Sequence, residues 1–225
     1  NKITKLTDGD DPGYFIATGG ISAGTGTNIQ AHMVGHPAYS FYVYQQVYDV
    51  NGDPIEGQFV DRNGDGQITE ADKYIYHSRD PKVVFTWNNT FNYKNWDFGM
   101  VLRANIGNWV YNDFEAANTS ISSTSSAPLS NLMSNRFLFN DLGVRGVQSD
   151  YFVRNASFLR CDNITIGYTW PNLLNDALRL RLYGAVQNPF VITKYNGLDP
   201  EVFGGIDNAV YPRPVTVSFG IVAQF

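Results

Sequence analysis

Long hydrophobic runs are absent from this sequence. No stretch approaches the roughly 18 consecutive apolar residues of a membrane-spanning helix, and the mean hydropathy is −0.25, so a helical membrane protein is excluded. A β-barrel is not, because polar lumen-facing residues dilute the hydropathy of every strand. Charge is scarce too. Asp, Glu, Lys and Arg make up 16% of the chain, against about 25% in ordinary domains. The net charge is −5 and Lys and Arg do not cluster, which argues against nucleic acid as a partner. Cysteine is reduced to Cys161, which rules out an intrachain disulfide and reads as a small buried hydrophobe. Of the three histidines, His32 and His36 stand four apart, but Gly35 and Pro37 disfavour a helix there and no HExxH pattern accompanies them. His77 has no such neighbour. Asn1 is followed by neither a signal peptide nor a lipid-attachment motif, which in an exported chain reads as processing or as a piece of a longer parent.

In place of charge the chain has aromatic residues, 15% of the total, set in a two-residue alternation. Trp96, Phe98, Met100, Leu102, Ala104 and Ile106 alternate with Asp97, Gly99, Val101, Arg103, Asn105 and Gly107, the clearest strand signal present. Before them, Val83, Phe85, Trp87, Phe91 and Tyr93 oppose Val84, Thr86, Asn88, Thr90 and Asn92, with Asn89 the one break in the apolar face. Leu178, Leu180, Leu182, Gly184 and Val186 oppose Arg179, Arg181, Tyr183, Ala185 and Gln187. Val215, Val217, Phe219, Ile221, Ala223 and Phe225 form the last apolar face. A fifth strand, about Phe158 to Trp170, carries Ile164, Ile166, Tyr168 and Trp170 on one side, yet Arg160 and Asp162 fall on that side too. Either they lie above the hydrocarbon or a bulge resets the register.

Strands near ten residues suit a tilted crossing of about 9–11 residues better than the roughly 5–6 of soluble sheets. Connections alternate in length: Tyr93 to Trp96 and Trp170 to Leu178 are short, Tyr111 to Ser157 and Asn188 to Pro214 long. That is the outer-membrane pattern, with short turns in the periplasm and long loops outside. Tyr93, Trp96, Trp170 and Phe225 gather on the short-turn rim and Trp109 and Tyr111 at the other end, as interfacial girdles would. Residues 1–81 are expected to be mostly an extracellular loop region, with room for a further strand pair, and residues 82–225 to hold the C-terminal barrel strands. The polar run from Thr119 to Ser130 reads as a loop tip.

One motif carries metal chemistry. Asp61, Asn63 and Asp65 supply oxygens at alternate positions, Gly66 permits a sharp turn, Gln67 offers its carbonyl and Asp72 closes the shell, matching an EF-hand calcium loop. Position twelve is Asp rather than the usual bidentate Glu, nearer a dockerin-type site, and Thr69 stands where a water-mediated ligand often does. An Asp, Asn and Gly-rich turn without an ion is the alternative. A bound Ca²⁺ would staple a loop; flanking helices for a sensor are not evident. Gly20 to Gly24 fits the bare GxSxG spacing around Ser22, but Thr25 onward is a poor helix start, so a glycine-rich loop is the better reading. No catalytic constellation emerges. The polar-face residues Asp97, Arg103, Arg179 and Arg181 are candidates for a lumen lining, the arginines either pairing with carboxylates on the wall or contacting cargo.

Several segments together resemble one family, the SusC/RagA-type TonB-dependent outer-membrane transporters of Bacteroidota. They are Val34-Gly35-His36-Pro37 with the Tyr-rich stretch after it, the loop from Asp61 to Asp72, and Pro81 leading into FTWNNTFNYKNWDFGMVLR. FLRCDNITIGYTWP, LRLYGAVQNPFVITKYNGLDPE and the terminal strand ending in Phe225 complete the set, in the family's order. The resemblance implies an antiparallel barrel of about 22 strands with a plugged lumen, of which this is the C-terminal segment. It further implies import of oligosaccharides or peptides, TonB energisation, a SusD-like surface lipoprotein as partner, outer-membrane lipid around the wall, and Phe225 as the assembly signal. The family's plug and TonB-contacting segment are not in this sequence, so this piece is not expected to transport alone. Independently, about five tilted strands cannot close a barrel, and an open edge in hydrocarbon leaves backbone groups unpaired. The competing class is a soluble calcium-binding β-sandwich, a carbohydrate-binding or adhesin module.

Overall fold

The computed structural model describes residues 1–7, 13–22, 26–120, 139–174, 177–208 and 211–225. Most of the Thr119 to Ser130 run, Ala23 and Gly24 of the GxSxG spacing, and two residues of the Trp170 to Leu178 turn lie outside them. Among the described residues thirteen strands, paired antiparallel, fall into two compact units, with isolated parallel bridges besides. No helix among the described residues is long and apolar enough to cross a membrane.

The first unit takes residues 1–81, 108–156 and 195–211. Its larger sheet pairs β1 (Phe15–Gly20), β2 (Asn28–Met33), β3 (Ser40–Val43) and β6 (Tyr74–Ser78), in that order. β4 (Gln46–Tyr48) and β5 (Pro54–Phe59) make a small hairpin, and β9 (Trp109–Tyr111) pairs with β10 (Val153–Asn155). Ile29, Phe41, Val43, Tyr111, Phe139 and Phe152 are fully or almost fully buried and pack as one core. These strands are three to six residues long, too short for a bilayer crossing. Residues 1–81 thus do contain strands beyond a loop, but of globular length.

The second unit is one sheet, built from residues 82–107, 157–194 and 212–225. Its order is β13-β12-β11-β8-β7, with β7 (Val83–Tyr93), β8 (Trp96–Ile106), β11 (Phe158–Leu173), β12 (Leu178–Thr193) and β13 (Thr216–Gln224). All five are the strands the alternation marks. At one rim β7 turns into β8 through Lys94 and Asn95, with Lys94 in the left-handed region at φ 52°. At the other rim the chain leaves the unit and returns. The described parts of the long stretches between β8 and β11 and between β12 and β13 group with the N-terminal residues. Trp109 and Tyr111 go with them. Tyr111 is buried in the first unit's core and Trp109 stacks on His77 at 3.6 Å, so neither belongs to a girdle of the five-stranded sheet.

Candidate functional site

The register gives the sheet two unlike faces. One row runs Phe91, Phe98, Ile166, Gly184, Phe219 across all five strands, and the next runs Tyr93, Trp96, Tyr168, Leu182, Ile221. Shifted by one residue, the other face shows Thr90, Gly99, Thr165, Ala185, Ser218 and then Asn92, Asp97, Gly167, Tyr183, Gly220. Ile166 lies on β11, the middle strand, where a soluble sheet would cover it, yet it is 50% exposed, and Phe219 is 85% exposed. Phe98 and Leu180 are not buried either. Within this unit nothing packs on the apolar face, and a β-sandwich would need a second sheet there.

On the opposite face the charges are paired. Arg181 makes two hydrogen bonds to Asp97, Nε to Oδ1 at 2.9 Å and the terminal nitrogen to Oδ2 at 2.6 Å. Asp97 is on β8 and Arg181 on β12, both neighbours of β11, so the pair spans two strand spacings, about 9–10 Å. It crosses over Gly167: a Cβ there would lie 2.5 Å from Asp97 Oδ1 and 2.7 Å from the Arg181 guanidinium. The glycine is the bed on which the ion pair rests. Arg103 binds Asp162 in the same forked way, at 3.0 and 3.1 Å. Such bidentate guanidinium contacts are among the stronger hydrogen bonds available to a protein. Arg179 stands nearer the rim, exposed and opposite Gln224.

The awkward charges on β11 have their explanation in a bulge. Cys161 pairs with Leu102 and Asn163 with Val101, so Asp162 is an extra residue in the ladder. Beyond it the parity flips, and Arg160 comes to stand opposite Arg103 on the polar side. Asp162, the Arg103 partner, stood out in the sequence only as a break in the alternation, and Gly167 did not stand out at all. The break in alternation at Arg160 and Asp162 is the signal that pointed to the first; Gly167 had none, because its role depends on two strands 70 and more residues apart in sequence from each other.

In the first unit the loop from Asp61 to Asp72 is closed by its own hydrogen bonds. Asp61 accepts from the amides of Gly64 and Gly66 at 2.7 and 2.8 Å, Asn63 from Asp65 at 3.0 Å, and Asp65 from Gln67 at 2.8 Å. Gly64 and Gly66 take φ of 75° and 79°, the left-handed turn expected of Gly66. Asp72 is buried, with Oδ1 accepting from the Arg62 amide at 2.8 Å and Oδ2 from the Thr69 amide at 2.7 Å, in a capping box around the 3₁₀ turn Glu70–Asp72. Among the described residues no three His, Cys, Asp or Glu side chains converge as a metal site would. Asp72 caps the loop through the amides it accepts from. The amides of Thr69, Arg62 and Asn63 hold its carboxyl below the ordinary range. Near β1, the Ser22 amide and hydroxyl both donate to Asp113 Oδ2, which makes Ser22 a cap of a buried carboxylate and leaves the nucleophile-elbow reading without support.

A long-stranded antiparallel sheet, apolar and uncovered on one face and ion-paired on the other, is part of the wall of a transmembrane β-barrel. No family model matches the chain. Along its whole length it is 49% identical to the TonB-dependent receptor SusC of Bacteroides thetaiotaomicron, covering 23% of that protein. It is 28% identical to the TonB-dependent receptor P3 of Formosa agariphila, covering 26%. The solved RagAB peptide transporter superposes on 99% of the chain with a TM-score of 0.71 at 18% identity, again over 26% of the solved chain; the closed-closed RagAB peptide importer gives 0.70. Along its whole length the chain is similar to SusC-type TonB-dependent receptors and shares the RagA fold, and it spans about a quarter of the length of these relatives. These relatives are receptors and transporters rather than enzymes.

Two outcomes are expected in the full-length receptor. Gly167→Val drives a side chain into the Asp97 and Arg181 pair and destabilises the barrel by about 1–3 kcal/mol, the usual range for a disrupted charged hydrogen bond, measured by denaturant unfolding; Gly99→Val, where a Cβ meets nothing within 4 Å, is tolerated. The second concerns pH. Because the folded-state value of Asp72 is depressed, its stabilising contribution is complete above its unfolded value of about 3.9 and is lost as pH falls through the folded one. Protection of the Arg62, Asn63 and Thr69 amides, measured as exchange relative to the intrinsic rate at each pH, is therefore high at neutral pH and falls in acid, and Asp72→Asn flattens that dependence.

Proposed function

We propose that this chain supplies the C-terminal strands and part of the external region of an outer-membrane importer of oligosaccharides or peptides. One observation carries the reading: the middle strand of a single sheet exposes Ile166 on one side and beds an ion pair on Gly167 on the other. The apolar face meets lipid; Asp97, Arg103, Arg179 and Arg181 face the lumen. Since the tight turns share one rim and the excursions the other, the turns and Phe225 lie in the periplasm and the first unit outside the cell. Phe225 is fully exposed and serves as the assembly signal. The remaining strands and the plug come from the rest of the receptor, TonB engages parts outside this chain, and a SusD-like lipoprotein completes the cargo site.

The test uses the full-length receptor in cells. Ile166→Arg places a charge in the lipid band, costs about 2–4 kcal/mol if near the midplane, and abolishes both the heat-modifiable folded barrel and uptake, whereas Thr165→Arg, one residue away on the lumen face, leaves the barrel assembled. Equal tolerance of both would remove the membrane-wall reading. Uptake of labelled oligosaccharide against labelled peptide then names the cargo.

Calcium enters as a staple of the external loop. Asp61, Asn63, Asp65 and the Gln67 carbonyl offer it oxygens, while Asp72 stays in its cap. On this reading added Ca²⁺ raises the thermal midpoint modestly and chelation leaves the Thr69 amide protected; unfolding of the loop by chelator would make the ion essential instead.

A further inference from the structure

Glycine weakens the interior of a strand, because it gives up more backbone freedom and packs no side chain. At Gly167 and Gly220 there is a reason for it: a Cβ would collide with the Asp97 carboxylate at 2.5 Å or with the Tyr183 ring at 2.2 Å. Gly184 differs from both. Its φ is not in the left-handed region, and an added Cβ would meet the Phe219 ring at 3.5 Å, an ordinary contact. Neither the backbone nor crowding calls for glycine at this position.

What the missing side chain leaves is open space on the apolar face. A groove of about 570 Å³ runs there, walled by Trp96, Ile166, Tyr168, Leu182, Phe219 and Ile221. Its floor is Gly184, which pairs with Ile166 on one side and Phe219 on the other. Toward the tight-turn rim the walls become amphipathic: the Tyr168 ring meets Trp96 edge to face at 4.9 Å, and its hydroxyl accepts a hydrogen bond from the Asn95 side-chain Nδ2 at 3.3 Å. The groove is thus apolar along its length with a polar mouth at an interfacial ring of aromatics, the amphipathic order of a phospholipid.

We infer that the Gly184 groove seats one acyl chain of a bilayer phospholipid, with the headgroup end at Trp96 and Tyr168. The inference rests on the lipid-facing reading of this face. A disordered lipid tail sliding past a smooth wall makes fewer close contacts than one lying in a groove, where dispersion attraction acts from both sides. The occupant is a lipid of the surrounding bilayer, in the leaflet next to the tight turns.

The test reconstitutes the full-length receptor in vesicles of phosphatidylethanolamine and phosphatidylglycerol carrying a trace of phosphatidylethanolamine with a diazirine on its acyl chain, followed by photolysis and peptide mapping. Labelling is expected to concentrate on residues 166–168, 182–184 and 219–221, and to fall several-fold in Gly184→Phe, which fills the groove. Label near Phe85 and Trp87, away from it, stays constant. Gly184→Ala, for which there is room, gives an intermediate fall and serves if the larger variant does not assemble. Even labelling along the whole face, indifferent to both variants, overturns the groove while leaving the lipid-facing reading intact. No label on any residue of that face overturns both.

Discussion

A strand in hydrocarbon has no water to pair with, so each backbone N–H and C=O must find a partner in a neighbouring strand, at a cost of several kcal/mol for every one that does not. The five-stranded sheet meets this demand for β8, β11 and β12, which are paired on both sides, and leaves β7 and β13 with one open edge each. Those edges are the points at which the rest of the receptor must join, and the sheet's other properties follow from them. Once the ladder is fixed, the two-residue period assigns each side chain to the apolar or the polar face, and a one-residue slip would exchange the faces entirely. Register is therefore the quantity that must be protected. The forked ion pairs Asp97–Arg181 and Arg103–Asp162 tie β8 to its neighbours on the polar side.

The same constraint explains where the pattern is broken. Asp162 interrupts the alternation because a bulge adds a residue to β11, and the bulge places its carboxylate within reach of Arg103. Without it Arg160 would stay on the apolar side. Glycines perform the complementary task. Gly167 lets a side chain from β8 meet one from β12 over the top of β11, and Gly220 makes room for the Tyr183 ring. A polar wall built from flat-lying side chains over glycine keeps long residues from projecting away from the sheet.

The described parts of the excursions between the long strands are folded. They join the N-terminal residues in a unit with its own buried core, in which Tyr111 and Phe152 come from one excursion and Ile29 and Phe41 from the N-terminal part. Partly buried polar ties reinforce it: Asp150 accepts from the Tyr74 hydroxyl at 2.7 Å and the Gln46 amide at 3.0 Å, and the Gln30 side chain donates to the Gly204 carbonyl at 2.8 Å. Burial nonetheless raises the Asp150 carboxyl above its ordinary range, so its preference is for acid, opposite in sign to that of Asp72.

The sequence by itself determined the five long strands and which residues share a face. Alternation is a local property, and a residue's side of a strand follows from its neighbours two positions away. It also marked Asp61 to Asp65 as an oxygen-rich turn, since Asx-type hydrogen bonds reach only a few residues. Tertiary structure alone decided that Arg181 meets Asp97, 84 residues distant, that Gly167 lies beneath them, that Tyr111 is core rather than girdle, and that the Asp72 carboxylate reaches the Arg62 and Thr69 amides. Each of these depends on the register of strands far apart in the chain, or on which of several possible acceptors a buried amide reaches first, and neither quantity is encoded in any short stretch of residues.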